Sequence, residues 1–258
     1  MLIESENIHR PVNLLWTGGW DSTFWLTYAI CIKGYSVKPY YIIDPKRKSS
    51  LIELQTMNKI KEMLFKMNSS FKELLLPLQI YSLNDIKENK KITDYSNILR
   101  KETYFGGQYE WLARFADEHC LENLHLCVQK ENHPTGFNAI LKVHTESFIY
   151  DNHMYHKCSK KYLNTKMDLI KNFLLPIYHL TKQDMKKISQ EHDFYSILKM
   201  TWFCHNPLWD IIPCGTCAPC IHLMQVGMSD RLYLLSKVNY YFYTICYKPI
   251  KSFLKPLY

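Results

Sequence analysis

Val12-Asn13-Leu14-Leu15-Trp16-Thr17-Gly18-Gly19-Trp20-Asp21-Ser22-Thr23 is the stretch that decides how this chain is read. Val12 to Trp16 is a short apolar run stopping at two glycines, the pattern of a buried strand. Beyond the glycines, Trp20, Phe24, Trp25, Tyr28, Ala29 and Ile32 recur at helical spacing, and Gly34 supplies a stop. A strand that turns directly into a helix leaves backbone N–H groups pointing outward at the positive end of the helix dipole. That arrangement is an anion site. Gly18 and Gly19 let the backbone approach a phosphate closely, and Thr17 and Ser22 add hydroxyls. Thr17, Gly18, Gly19, Asp21, Ser22 and Thr23 are therefore the candidate nucleotide-binding residues. Asp21 is the informative one, because a carboxylate repels phosphate unless a cation lies between them. It suits a Mg²⁺ site or a hydrogen bond that fixes the loop. The plainer reading of the same spacing is a tight turn with Asp or Ser capping the helix.

The loop is not a Walker A sequence, since no Gly-Lys-Ser/Thr follows the glycines, and it lacks the Gly-x-Gly-x-x-Gly dinucleotide fingerprint. Outward from it, strand and helix signals alternate. Ser36 to Ile43 reads as a second strand, with Asp44 at its carboxyl end, where a residue borders a nucleotide crevice or simply turns before Pro45. Leu51 to Met67 reads as a helix and Leu74 to Tyr81 as a third strand, weakened by Pro77. A helix is expected over Tyr109 to His119, then strands over Asn123 to Val128 and Phe173 to Ile177. Thr181 starts a further helix, with Asp184 placed for a capping box. Lys182, at that start, neutralises phosphate if it faces the loop and is otherwise an exposed lysine. Lys87-Glu88-Asn89-Lys90-Lys91 reads as a solvated loop. The alternation predicts an α/β fold, a parallel sheet with helices on both faces.

From Thr201 the pattern changes. Cys204-x9-Cys214-x2-Cys217-x2-Cys220 has metal-ligand spacing, and four thiolates close a tetrahedral Zn²⁺ site; an iron–sulfur cluster is the rival occupant. His153-x2-His156-x-Cys158 is a weaker metal pattern that more simply belongs to a polar loop. Cys31, Cys120, Cys127 and Cys246 read as small buried hydrophobes.

The loop resembles the Ser-Gly-Gly-x-Asp-Ser loop of the ATP pyrophosphatase (PP-loop) superfamily, with Thr17 in place of the first serine. Thr201-Trp202-Phe203-Cys204 and Cys214-Gly215-Thr216-Cys217-Ala218-Pro219-Cys220 are similar to the ending of 7-cyano-7-deazaguanine synthase, an enzyme of queuosine-precursor synthesis. Leu180-Thr181-Lys182, Asp44 and Glu53 also resemble stretches of that family. The resemblance covers about residues 12 to 227. It implies a Rossmann-like (adenine nucleotide alpha hydrolase-like) domain and an ATP-dependent ligase that forms C–N bonds. Such an enzyme adenylates a carboxylate or amide, releases pyrophosphate, and passes the acyl group to an amine or ammonia. ATP, Mg²⁺ and Zn²⁺ are the implied cofactors, and Asp21, Ser22 and Lys182 the implied catalytic residues. The family's substrate-side stretch is replaced here by Val128 to Phe137, and its Gly-Arg-Asn corresponds to Gly106-Gly107-Gln108, so the acceptor is expected to differ. A tRNA-thiolating relative and a non-catalytic nucleotide-binding zinc scaffold are the competing expectations.

The 258 residues are read as an ATP-binding domain over 1–200, a four-cysteine segment over 201–230 and a basic, Tyr-rich tail over 231–258. The tail has five Lys or Arg, six Tyr and no acid, and reads as an amphipathic segment packed on the domain or on a second subunit of a homodimer, ahead of RNA or a membrane surface. With 32 basic and 24 acidic residues the net charge is +8, which favours anionic partners. The acidic Met1–Glu6 and the lack of a long apolar run predict a cytoplasmic protein with reduced thiols and no transmembrane segment.

Overall fold

In the computed structural model the described residues are 11–131 and 135–247. In chain order these form β1 (Val12–Leu15), α1 (Trp20–Cys31), β2 (Val37–Ile43), α2 (Ser50–Met67), α3 (Phe71–Leu74), β3 (Gln79–Ser82), α4 (Lys90–Glu102), α5 (Gln108–Glu118) and β4 (Leu124–His125). Then follow α6 (Phe137–His144), β5 (Thr145–Tyr150), β6 (His153–Cys158), β7 (Phe173–Leu175), α7 (Lys182–Glu191), α8 (Tyr195–Lys199), α9 (Ala218–Gln225) and α10 (Leu234–Phe242).

The strands make one seven-stranded sheet in the order β3-β2-β1-β4-β7-β6-β5. Five are parallel, as the alternating pattern requires. The period-2 geometry of β1 sends Val12 and Leu14 to one face and Leu15 to the other. Leu14 packs with Phe24 of α1, Ile60 of α2, Met185 of α7 and Ile197 of α8. Leu15 packs with Leu99 of α4, Phe115 of α5 and Ile140 of α6. Helices therefore cover both faces, and β1 is buried between two cores.

The sheet is not wholly parallel. β5 and β6 form an antiparallel hairpin, and β6 runs antiparallel to β7. The hairpin closes through Asp151-Asn152, both with φ near +50° (47° and 51°), the conformation of a two-residue type I′ turn. The third strand is shorter than expected: Phe71–Leu74 is helical, Leu75 makes only a single bridge to Val37, and the strand proper begins past Pro77. The Asn123–Val128 strand contracts to Leu124–His125. Lys90 and Lys91 are not loop residues but the first turn of α4, capped by Asn89, whose side chain accepts from Ile92 N at 3.2 Å. The capping box of α7 forms as its sequence indicates. Asp184 N donates to Thr181 Oγ1 at 3.2 Å, and Thr181 N donates to Asp184 Oδ2 at 2.8 Å.

Two cysteines depart from the expectation of burial. Cys120 and Cys246 are exposed, Cys120 in a left-handed turn after α5 and Cys246 in the turn that follows α10, while Cys31 and Cys127 are half-buried. No helix among the described residues is long and apolar enough to cross a membrane.

Candidate functional site

The Thr17–Thr23 stretch leaves β1 at the point where the sheet divides, with β2 on one side and β4 on the other. In open α/β sheets that crevice at the carboxyl ends of the strands is where ligands bind. Gly18 has φ +68°, and a Cβ there would lie 3.0 Å from Met57 Cγ and 3.3 Å from Glu53 O. The loop backbone thus lies directly on α2. Gly19 precedes α1 in an extended conformation with no side-chain cap, so the first-turn N–H groups of α1 are left for a ligand. Thr17 N donates to Ser22 Oγ at 3.5 Å across the loop.

Thr23 takes a different role from the one its place in the motif suggests. It is fully buried, and Trp16 Nε1 donates to its Oγ1 at 3.0 Å. It braces the end of β1 against α1 and does not face the crevice.

Asp21 and Lys182 meet, although 161 residues separate them: Lys182 Nζ lies 2.8 Å from Asp21 Oδ1. Lys182 is largely covered, so it is not a free surface lysine. Asp44 behaves as the turn residue of the two readings. Its Oδ1 accepts from Lys46 N and its carbonyl from Arg47 N, both at 2.9 Å. That turn delivers Arg47, which lies beside the loop while Asp44 lines a neighbouring chamber. Arg47 Nη1 is 3.8 Å from Glu53 Oε1. Glu53 is buried and accepts from Ser49 Oγ at 2.6 Å and from Tyr41 OH at 2.8 Å. Burial, and then the Glu53 carboxylate, pushes the Tyr41 phenol up.

A third cation comes from beyond the cysteines. The Arg231 guanidinium lies 5.2 Å from the ring centre of Trp20 and 4.9 Å from that of Phe203, and donates to Thr201 O and, at 2.8 Å, to Thr201 Oγ1. Burial pulls its pKa down to about 10, which still leaves it charged at neutral pH. Arg47, Lys182 and Arg231 line one cavity with Thr17, Gly19 and Asp21, and His205 and His222 complete its wall. His205 is held below the usual imidazole range by burial and then by Arg47. The sequence offered the basic run Lys46-Arg47-Lys48 as a signal for Arg47. It offered none for Arg231, whose aromatic partners lie far away in the chain.

The space around the loop continues, through Arg47, Gln108 and Trp111, into a chamber of about 1300 Å³. Gly106, Gly107 and Gln108 line it, as do Glu131, Thr135 and Phe137. Phe137 stacks on Tyr109 with ring centres 3.5 Å apart. Cys127 borders the loop as well, but burial and then Asp21 push its thiol well up, which keeps it protonated.

The four cysteines converge, with sulfurs all within 4.8 Å of one another. Neighbouring pairs stand 3.4, 3.9 and 4.0 Å apart. A single tetrahedral ion with bonds of about 2.3 Å requires sulfurs about 3.8 Å apart. The spacing fits one metal ion such as zinc and is too tight to surround a multi-iron core. Cys214 N donates to Cys204 Sγ at 3.2 Å, and Cys217 N and Thr216 N donate to Cys214 Sγ at 3.3 and 3.4 Å. Backbone N–H donors aimed at the sulfurs of Cys204 and Cys214 stabilise thiolates there, which suits metal ligation. By contrast His153, His156 and Cys158 do not converge. His153 points into the core and bonds Pro176 O at 2.6 Å, and Cys158 packs on the other face of the sheet. Among the described residues the four cysteines are the only metal-competent group of three or more.

No protein-family model matches this chain, and no curated protein is significantly similar to it.

Proposed function

We propose that this chain is an ATP-dependent ligase of the PP-loop type, akin to 7-cyano-7-deazaguanine synthase but with a changed acceptor. The observation that carries this reading is the uncapped start of α1 at Gly19, faced by Lys182, Arg47 and Arg231. Three cations and a fan of backbone N–H groups suit the triphosphate of ATP, and their most useful product is a stabilised pyrophosphate leaving group. A carboxylate oxygen of the substrate attacks the α-phosphorus, the bond to the β-phosphate breaks, and its electrons leave with pyrophosphate. An amine or ammonia then displaces AMP from the acyl carbon. The protein's part is positioning and charge neutralisation. Ser22 and Thr17 hold phosphate oxygens, and Lys182 shields Asp21 while the site is open. A Mg²⁺ ion between Asp21 and the phosphates would supply further neutralisation. The cysteine site fits zinc in a structural role, holding α9 and Arg231 at the edge of the crevice. The chamber beside Gln108 and Trp111 is the place for the acceptor.

The test is formation of AMP and pyrophosphate from ATP over a panel of carboxylic acids, with hydroxylamine trapping any acyl-adenylate. Asp21→Asn and Ser22→Ala should each abolish it. Full ATP binding and turnover in both variants would sink the assignment, and ATP binding with no turnover on any acid would favour a non-catalytic role.

A further inference from the structure

Another cavity, of about 530 Å³, lies between α2, α3 and the approach to β3. Small-molecule sites usually fall in the range of roughly 300–1,000 Å³. The sequence opens this one. Val37 bridges Leu75 and Tyr40 pairs with Gln79, so three steps along β2 face four steps of the neighbouring chain. The extra residue makes a bulge, and Pro39 and Pro77 have no N–H with which to close the ladder across it. On the facing side, Leu54, Asn58, Lys61 and Phe65 recur at intervals of four, three and four along α2 and share one face of that helix. The deeply buried Trp16 and Met57 form the floor.

The walls and the mouth differ in chemistry. Leucine, phenylalanine, methionine and proline make the walls. Lys61 and Lys72 are the charged residues among the described lining, and both are exposed, so their stems cover apolar wall while their ammonium groups stand at the mouth. Lys72 Nζ lies 5.9 Å from the ring centre of Phe65. Glu62 and Glu73, the chain neighbours of these lysines, are outside the lining, and Glu62 accepts from Asn58 Nδ2 at 2.9 Å.

We propose that this cavity binds a free fatty acid of medium length, with its tail against Leu54, Phe65 and Leu76 and its carboxylate at Lys61 and Lys72. Two ammonium groups at the mouth disfavour an alkyl cation. The wall side chains offer a more polar ligand no hydrogen bonds, since Asn58 is engaged with Glu62. The site is separate from the loop crevice, yet its floor braces the loop. Trp16 Nε1 donates to Thr23 Oγ1 at 3.0 Å, and Met57 Cγ would lie 3.0 Å from a Cβ at Gly18.

Calorimetric titration of the full zinc-loaded chain with dodecanoate, kept below its micelle concentration, is expected to give one site per chain. Dodecanol and dodecylammonium should bind at least tenfold more weakly. Lys61→Glu combined with Lys72→Glu should weaken dodecanoate at least tenfold, and Lys61→Ala with Lys72→Ala tests the same point if the reversed charges disturb the fold. Lys59→Glu, on α2 but outside the lining, should leave binding unchanged. A terminally brominated dodecanoate should quench indole emission, and less so in Trp16→Phe. No binding, equal affinity for dodecanol, binding indifferent to the two lysines, or association only with fatty acid held in vesicles would overturn the proposal. None of these readouts involves ATP, so the outcome stands apart from the proposed chemistry.

Discussion

The backbone N–H of Trp202 donates to the carbonyl of Gly18 at 3.0 Å, tying the segment that carries Cys204 to the centre of the glycine loop. The indole of the same Trp202 donates to Cys204 O at 2.7 Å. One residue therefore touches both the loop and the first sulfur ligand. Pro219, between the last two cysteines, then His222 of α9 and Arg231 return to the wall of the loop cavity.

The proposed nucleotide site and the cysteine site should consequently be linked. Stripping the metal with a chelator should weaken ATP binding at least tenfold, about 1.4 kcal/mol, because Arg231 and α9 lose their anchor. By reciprocity ATP should slow zinc release. Calorimetric ATP titrations of the loaded and stripped chain, with metal analysis giving about one zinc per loaded chain, check this. Equal ATP affinity in both forms would disprove the link.

Gly18→Ala meets two obstacles, a positive φ and a methyl group 3.0 Å from Met57 Cγ. A loss of roughly 1–3 kcal/mol in urea unfolding is expected. Gly34→Ala provides the contrast: its φ is +65°, but its Cβ meets nothing within 4 Å, so its cost should be smaller. A larger loss at Gly34 would refute the close approach of loop to α2.

Lys182→Ala should lower ATP affinity on the order of tenfold or more, with a weaker salt dependence. Lys182→Arg should restore part of it, since the charge remains beside Asp21. Arg231→Lys is a different case. The charge survives, but the guanidinium plane between Trp20 and Phe203 does not, and a stability loss of about 1 kcal/mol should accompany the weaker binding. Isothermal titration at two ionic strengths, with parallel denaturant curves, separates the two.

Buried histidines make stability depend on pH, and His125 and His153 carry the largest shifts. His125 accepts from Trp25 Nε1 at 2.8 Å, and burial and then His153 pull it down to about 3. Burial is also the main cause that pulls His153 down to about 4. Above pH 6.5 both folded and unfolded forms are neutral at these positions, and their contribution is fully present. As pH falls below 6.5 the unfolded chain takes up protons that the folded one refuses, and stability drops until about pH 4 for His153 and about pH 3 for His125. The slope approaches about 1.4 kcal/mol per pH unit for each residue. Urea curves from pH 7 to pH 4.5 measure it. His125→Gln, which keeps an acceptor for Trp25, should lower the slope by that residue's share, at most about 1.4 kcal/mol per pH unit.

What could be read from the sequence followed local rules. A glycine pair between an apolar run and a helical period requires a backbone that bends where side chains cannot follow, and Gly18 does so. Cysteines at short intervals around a Gly-Thr turn can only point together, and they do. Thr181 and Asp184 cap their helix because both partners lie within one turn. The β5–β6 hairpin carried a local signal too, Asp151-Asn152 between alternating runs; the stretch His153–Cys158 reads as a polar loop from its histidines but is strand β6, because its alternate residues His153 and Tyr155 are buried. The start of α4 was masked by its charges, since Asn89 caps it while Lys90 and Lys91 stay in water.

The sequence by itself thus determined the α/β alternation, the place of the loop and the metal-competent cysteines, because each depends on residues within about ten positions. The tertiary structure alone decided which charges face the loop. Lys182, Arg47 and Arg231 come from three separate parts of the chain and meet only because β1 lies at the centre of the sheet. It also decided that Thr23 braces Trp16, that Asp44 forms a turn, and that Trp202 closes on Gly18. Such contacts depend on packing between distant segments, which no spacing along the chain encodes.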